Sequence, residues 1–134
     1  MNVNMMKKKY LGLLILVALL AFGCGGLPLS VPQKTSADLI KENEEHVRIN
    51  PNNADAHYML AFTYDNLKNY EKAIQSWKEL IRIKPNHALG HYWLGYAYEQ
   101  LGRKNEAITE YREVLRIAPD DSVSKNGLDR LGKI

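Results

Sequence analysis

The chain has 134 residues and a formal net charge of +3, with 46% hydrophobic and 25% charged residues, about the amount that one small domain needs. Lys7, Lys8 and Lys9 are the only charges before Cys24, and from Cys24 onward 15 basic residues balance 15 acidic ones. A neutral body with interspersed signs lacks the electrostatic footprint of a nucleic-acid binder and excludes that class of partner. Cys24 is the single cysteine, so no internal disulfide staples the fold and packing must hold it.

Residues 1–23 read as an export signal. The three lysines give a positive start, and Tyr10 to Phe22 runs 13 residues without a charge. A helix of that length reaches only about 20 Å, short of the roughly 30 Å hydrocarbon core, so the stretch reads as a cleavable apolar region. Its end, Ala21-Phe22-Gly23-Cys24, resembles the bacterial lipoprotein signal. The resemblance implies cleavage before Cys24, which becomes a diacylated, palmitate-bearing and usually N-acylated first residue. Two or three acyl chains hold a protein on a bilayer durably, where one does so marginally. Gly25 stands where an aspartate would favour inner-membrane retention. The resemblance therefore implies the periplasmic face of the outer membrane in a Gram-negative source, or the outer face of the cell membrane otherwise.

Residues 24–35 form a lipidated cysteine and tether. Gly25, Gly26, Pro28 and Pro32 oppose regular structure, and 11 extended residues span at most about 36 Å. The folded domain is expected over 36–134. Thr35 and Asp38 have capping-box spacing, opening a helix over 36–49 that Pro51 closes.

Residues 54–87 and 88–121 align at an offset of 34 with 12 identical pairs, among them His57/His91, Tyr58/Tyr92, Leu60/Leu94, Ala73/Ala107 and Pro85/Pro119. Within each copy the apolar residues recur at three and four, as in Met59, Leu60, Phe62, Tyr64, Leu67 and in Ala73, Ile74, Trp77, Leu80, Ile81. That is the helical period. Lys68-Asn69 and Gly102-Arg103 break the first helix of each copy, the prolines end the second, and Asn53, Asn86 and Asp121 are placed as caps. Ala61 facing Ala73 and Gly95 facing Ala107 mark where two helices approach closely.

The period and these residues resemble the tetratricopeptide repeat. The resemblance implies an all-α, right-handed helix-turn-helix solenoid: two full repeats, a preceding half-repeat helix and a capping helix over about 122–131 carrying Val123, Leu128 and Leu131. His57 and His91 replace a usual tryptophan, and Lys68 stands where Gly102 shows the usual turn glycine, so Lys68 is expected at positive φ. Asn43 and His46 weaken the apolar face of the half-repeat.

No nucleophile, zinc-protease or phosphate-loop spacing occurs. The chain reads as a non-enzyme without cofactor or metal. In this repeat family the first helices line the concave side. The resemblance places Asp55, Tyr58, Met59, Phe62, Asp65 and Asn66 there, followed by Leu89, Tyr92, Trp93, Tyr96, Glu99 and Gln100. Tyr58, Phe62, Tyr92 and Tyr96 are expected to form one aromatic patch edged by the acids Asp65 and Glu99. Neither Tyr58 nor Tyr92 is a signature position, so helix content is expected to survive their loss. Aromatics with acids, lacking the basic slots of a carboxylate clamp, fit an apolar or basic peptide or helix. The expected function is a membrane-anchored adaptor or scaffold for protein binding in the cell envelope, of the kind that assists pilus, secretion or envelope assembly. The competing reading is a metal-binding lipoprotein or accessory subunit of an envelope enzyme using His57, His87 and His91.

Overall fold

The computed structural model describes residues 33–132; the expected signal segment, Cys24 and most of the expected tether lie outside the described residues. Six helices follow in order: α1 Ser36–Ile49, α2 Ala54–Asn66, α3 Tyr70–Ile83, α4 Ala88–Gln100, α5 Lys104–Ile117 and α6 Ser122–Arg130. Each packs on the next. Second helices α1, α3 and α5 begin 34 residues apart, as do first helices α2, α4 and α6, so the sequence period is the structural one.

Local chemistry sets the boundaries. The Thr35 hydroxyl accepts from the Asp38 N–H, and the Asp38 carboxylate accepts from the Thr35 N–H at 3.0 Å, a complete capping box. Asn53 and Asp121 cap α2 and α6. The cap of α4 differs from expectation. His87 Nδ1, not Asn86, takes the Gly90 N–H at 2.9 Å. Asn86 lies in phase with Asn52 instead, and each accepts from an arginine ending the same hairpin, Arg116 at 3.1 Å and Arg82 at 2.8 Å.

Helices α2 and α4 bury residues around most of their circumference, His57 and Thr63 included. Helices α3 and α5 bury one stripe, centred on Trp77 and Tyr111, both fully buried. Truncating rings so placed costs about 3–5 kcal/mol. Tyr111 also explains the glycine at 95. A Cβ there would lie 2.9 Å from a Tyr111 ring carbon, and one at Gly127 would lie 2.7 Å from the other edge. Gly95 answers first to this ring, rather than to Ala107 as the spacing had implied.

Both ends are polar variants of the repeat. Asn43 occupies the Trp77 phase in α1, buried with its amide donating to the Leu39 carbonyl at 2.8 Å. The Tyr64 hydroxyl donates to Glu44 at 3.1 Å. In α6 Leu128 is buried, but Val123, expected to help cover the last repeat, is exposed. Asp129 and Leu39 fall where the full repeats keep small residues, which suits terminal caps.

The hairpin turns are alike. Lys68 N–H reaches Asp65 O and Asn69 N–H reaches Tyr64 O, both at 2.9 Å, and Gly102 and Arg103 repeat this 34 residues on. Lys68 has φ 57° and Gly102 φ 71°. A left-handed lysine is strained by about 1 kcal/mol, offset in part by glycine's looser unfolded state. Lys68→Gly should be neutral or stabilising by up to about 1 kcal/mol in denaturant unfolding. A comparable loss would contradict the turn.

Candidate functional site

The face made by α2, α4 and α6 is the side that stacked hairpins curve around. Tyr58 and Phe62, one turn apart on α2, lie parallel with ring centroids 6.4 Å apart. Phe62 meets the edge of Trp93 on α4 at 6.2 Å, and Trp93 meets Tyr92 at 5.3 Å and Tyr96 at 5.5 Å. His87 extends the belt beyond Tyr58 at 6.1 Å, and Tyr70 extends it beyond Tyr96 at 6.3 Å. The expected patch therefore forms, but through Trp93, the counterpart of Met59. Met59 (37% exposed), Phe62 (38%) and Leu89 (47%) leave large apolar side chains in water.

Tyr58 and Tyr92 also face inward. Tyr58 sets its ring at 85° to Trp77 at 5.2 Å, and Tyr92 tilts over Tyr111 at 5.9 Å. Both pack against the core. They support the largest buried rings, so their loss is expected to cost packing as well as binding surface.

The acids are turned inward too, contrary to their expected place as free charges at the patch edge. The Trp77 indole N–H donates to Asp65 Oδ2 at 2.7 Å, and the Tyr111 hydroxyl donates to Glu99 Oε2 at 2.6 Å. These equivalent carboxylates differ in charge balance. Burial pushes Glu99 up, but Arg130 at 3.1 Å and the Tyr111 hydroxyl hold it below the usual range. Asp65 has Tyr96 in the Arg130 phase. Burial raises its pKa to about 6 against the pull of the indole N–H, and Oδ1 is buried without a partner. Asn66 and Gln100 are exposed, and Asp55 is exposed with Lys84 Nζ at 3.5 Å.

The histidines are structural. His57 and His91 donate Nε2–H to the carbonyls of Pro51 and Pro85, each at 2.9 Å. His91 Nδ1 lies 2.7 Å from Glu110, which with the carbonyl favours the doubly protonated ring and raises its pKa. His87 Nδ1 is spent on its helix cap. Among the described residues no three His, Cys, Asp or Glu side chains converge on a metal position, so the set His57, His87, His91 does not assemble.

One feature escaped the sequence reading: a cavity of about 370 Å³ at the last junction. Ala88, Leu89, Tyr92 and Trp93 form its α4 side, and Val114, Ala118, Asp121 and Val123 close the other. Matching equivalent positions of the two repeats for size was the signal available.

The Asp65 site gives a pH test. Its folded pKa lies above the ordinary 3.8, so the folded state gains from protonation below about pH 4 and loses that gain as pH rises through about 6. The advantage in melting temperature of the parent chain over Asp65→Asn should shrink between pH 4 and 7. The change should be of order 1 kcal/mol, since the carboxylate is only partly shielded. A constant difference would contradict the burial of Asp65.

Comparison with known proteins places the repeats. Two models described as tetratricopeptide repeat match residues 47–75 and 88–121, and a third, described as TPR repeat, matches 66–102. No curated protein is a significant match to the sequence. The Arabidopsis OM64 TPR domain superposes with TM-score 0.67 at 23% identity, over 72% of this chain and 80% of that one. The second TPR domain of human RPAP3, solved in complex with the HSP70 peptide SGPTIEEVD, gives 0.68 at 21% over 74% and 82%. MamA 41-end from Desulfovibrio magneticus RS-1 gives 0.67 at 18% over 72% of this chain and 55% of that one. At these identities the likeness establishes the fold. Residues 47–121 are thus tetratricopeptide repeats, and the described part of the chain is a tetratricopeptide-repeat solenoid.

Proposed function

We propose that this chain is a lipid-anchored adaptor that holds a partner protein at a membrane surface of the bacterial envelope and has no catalysis of its own. The observation that carries the reading is the ring belt from His87 through Tyr58, Phe62 and Trp93 to Tyr96, flanked by exposed Met59 and Leu89. Apolar surface of this kind marks a docking site more often than it is left bare. The polar side chains that could carry chemistry are bonded into the fold. His57, His87 and His91 serve backbone groups, and Asp65 and Glu99 serve the buried rings.

The charge on this face favours an apolar or basic segment. The cations Lys84 and Arg130 are already paired with Asp55 and Glu99, so gripping a terminal carboxylate would break those pairs. The anchor rests on Lys7 to Lys9, the apolar stretch and Cys24, with the tether letting the domain stand off the bilayer. The carrying machine, whether pilus, secretion or assembly type, is a matter of the partner.

A two-armed experiment in native membranes tests both halves. Met59→Ala with Phe62→Ala, at two exposed positions, should keep the helical circular dichroism signal and weaken partner capture at least about tenfold. Cys24→Ser should lose labelled palmitate and leave an unprocessed or soluble product. Unchanged capture would overturn the docking face, and palmitate retained by Cys24→Ser would overturn the anchor.

A further inference from the structure

The two junctions of the solenoid differ in a way that builds a pocket. Around the α2–α3–α4 junction stand Leu80, Lys84, His87 and Leu89; at the next junction their counterparts are Val114, Ala118, Asp121 and Val123. At these four positions the second junction carries the smaller side chain, while on the α4 side Leu89 and Trp93 are larger than their counterparts Asp55 and Met59. At the first junction the His87 ring lies 6.1 Å from the ring of Tyr58, and Lys84 Nζ lies 3.5 Å from Asp55 Oδ1. At the second, Leu89 replaces Asp55 and Ala118 replaces Lys84, so no ion pair spans the mouth and the 370 Å³ cavity opens. That volume lies within the range of ligand clefts, roughly 300–1,000 Å³.

The charge of the lining selects the occupant. Asp121 is the one carboxylate in the wall, and Asp120 adjoins it in sequence. Among the described residues neither forms a salt bridge, whereas Asp55 and Glu99 elsewhere on this face do. Asp121 Oδ1 accepts the Ser124 N–H at 2.7 Å, which fixes the carboxylate beside the cavity. Apolar walls with one fixed carboxylate match an aliphatic or aromatic side chain next to a cation, and they disfavour an acidic neighbour.

We propose that this cavity is the anchor pocket of the docking face, and that it takes a leucine- or phenylalanine-sized side chain whose neighbour in the partner is lysine or arginine. The inference rests on the docking-face reading and assigns its specificity to the last junction. Partner segments ending in acidic residues would be rejected here.

The test uses the full chain in detergent and three fluorescent hexapeptides that carry Leu-Lys, Leu-Glu or Ala-Lys at their centre. Leu-Lys should bind at least tenfold tighter than either control by anisotropy. Ala118→Leu fills the cavity, and Lys84, at φ −126° and ψ 79° against −132° and 85° for Ala118, is a long side chain held in the same backbone conformation. This variant should lose Leu-Lys binding at least tenfold. Asp121→Asn keeps a good helix cap and should bring Leu-Lys and Leu-Glu within about threefold of each other. Equal binding of the three peptides, or Leu-Lys binding unchanged by Ala118→Leu with its melting curve intact, overturns the pocket. If native partner capture is then still lost in Met59→Ala with Phe62→Ala, the docking face stands and only the pocket fails.

Discussion

Each full repeat is organised around one polar bond inside an apolar contact. The second helix buries its largest ring, Trp77 or Tyr111, and that ring has one polar atom that must be satisfied. A carboxylate near the end of the first helix does so, Asp65 for the indole and Glu99 for the phenol. The buried ring and its bond tie the two helices of the hairpin together, and their neighbours are fitted to them. Gly95 and Gly127 leave room for the Tyr111 ring. Tyr58 stands at right angles to Trp77, and Tyr92 lies tilted over Tyr111. The acids are thereby withdrawn from the face on which their spacing placed them.

What is left on that face is mostly apolar. The belt is continuous because Trp93 of α4 reaches Phe62 of α2, and a dry stripe beside few spare charges suits an apolar partner with basic flanks. The two repeats are not equivalent in charge. Arg130 of α6 balances Glu99, while Tyr96 in the same phase leaves Asp65 without a cation. The capping helix thus completes the second repeat electrostatically as well as by burying Leu128.

The period of 34 made helices, hairpins and register legible, because repeated burial demands repeated side chains. The Lys68 turn was legible for the same reason, since Gly102 reports the conformation its counterpart must share. Side-chain direction was harder to read. Asp65 and Glu99 occupy surface phases on a helical wheel, and only the reach of Trp77 and Tyr111 across the hairpin turns them inward. The α4 cap was misplaced by one residue because asparagine caps better than histidine in general, whereas Asn86 is held by Arg116. The cavity escaped because it arises from what four positions lack, and periodicity reports only what is present.

The central claim is that partners dock on the first-helix face and not on the outer side. Site-specific photo-crosslinking in native membranes tests it most directly, with benzoylphenylalanine at Phe62 on that face or at exposed Arg112 on α5. A discrete heavier adduct is expected from position 62 and none from position 112. An adduct from position 112 with none from 62 would contradict it.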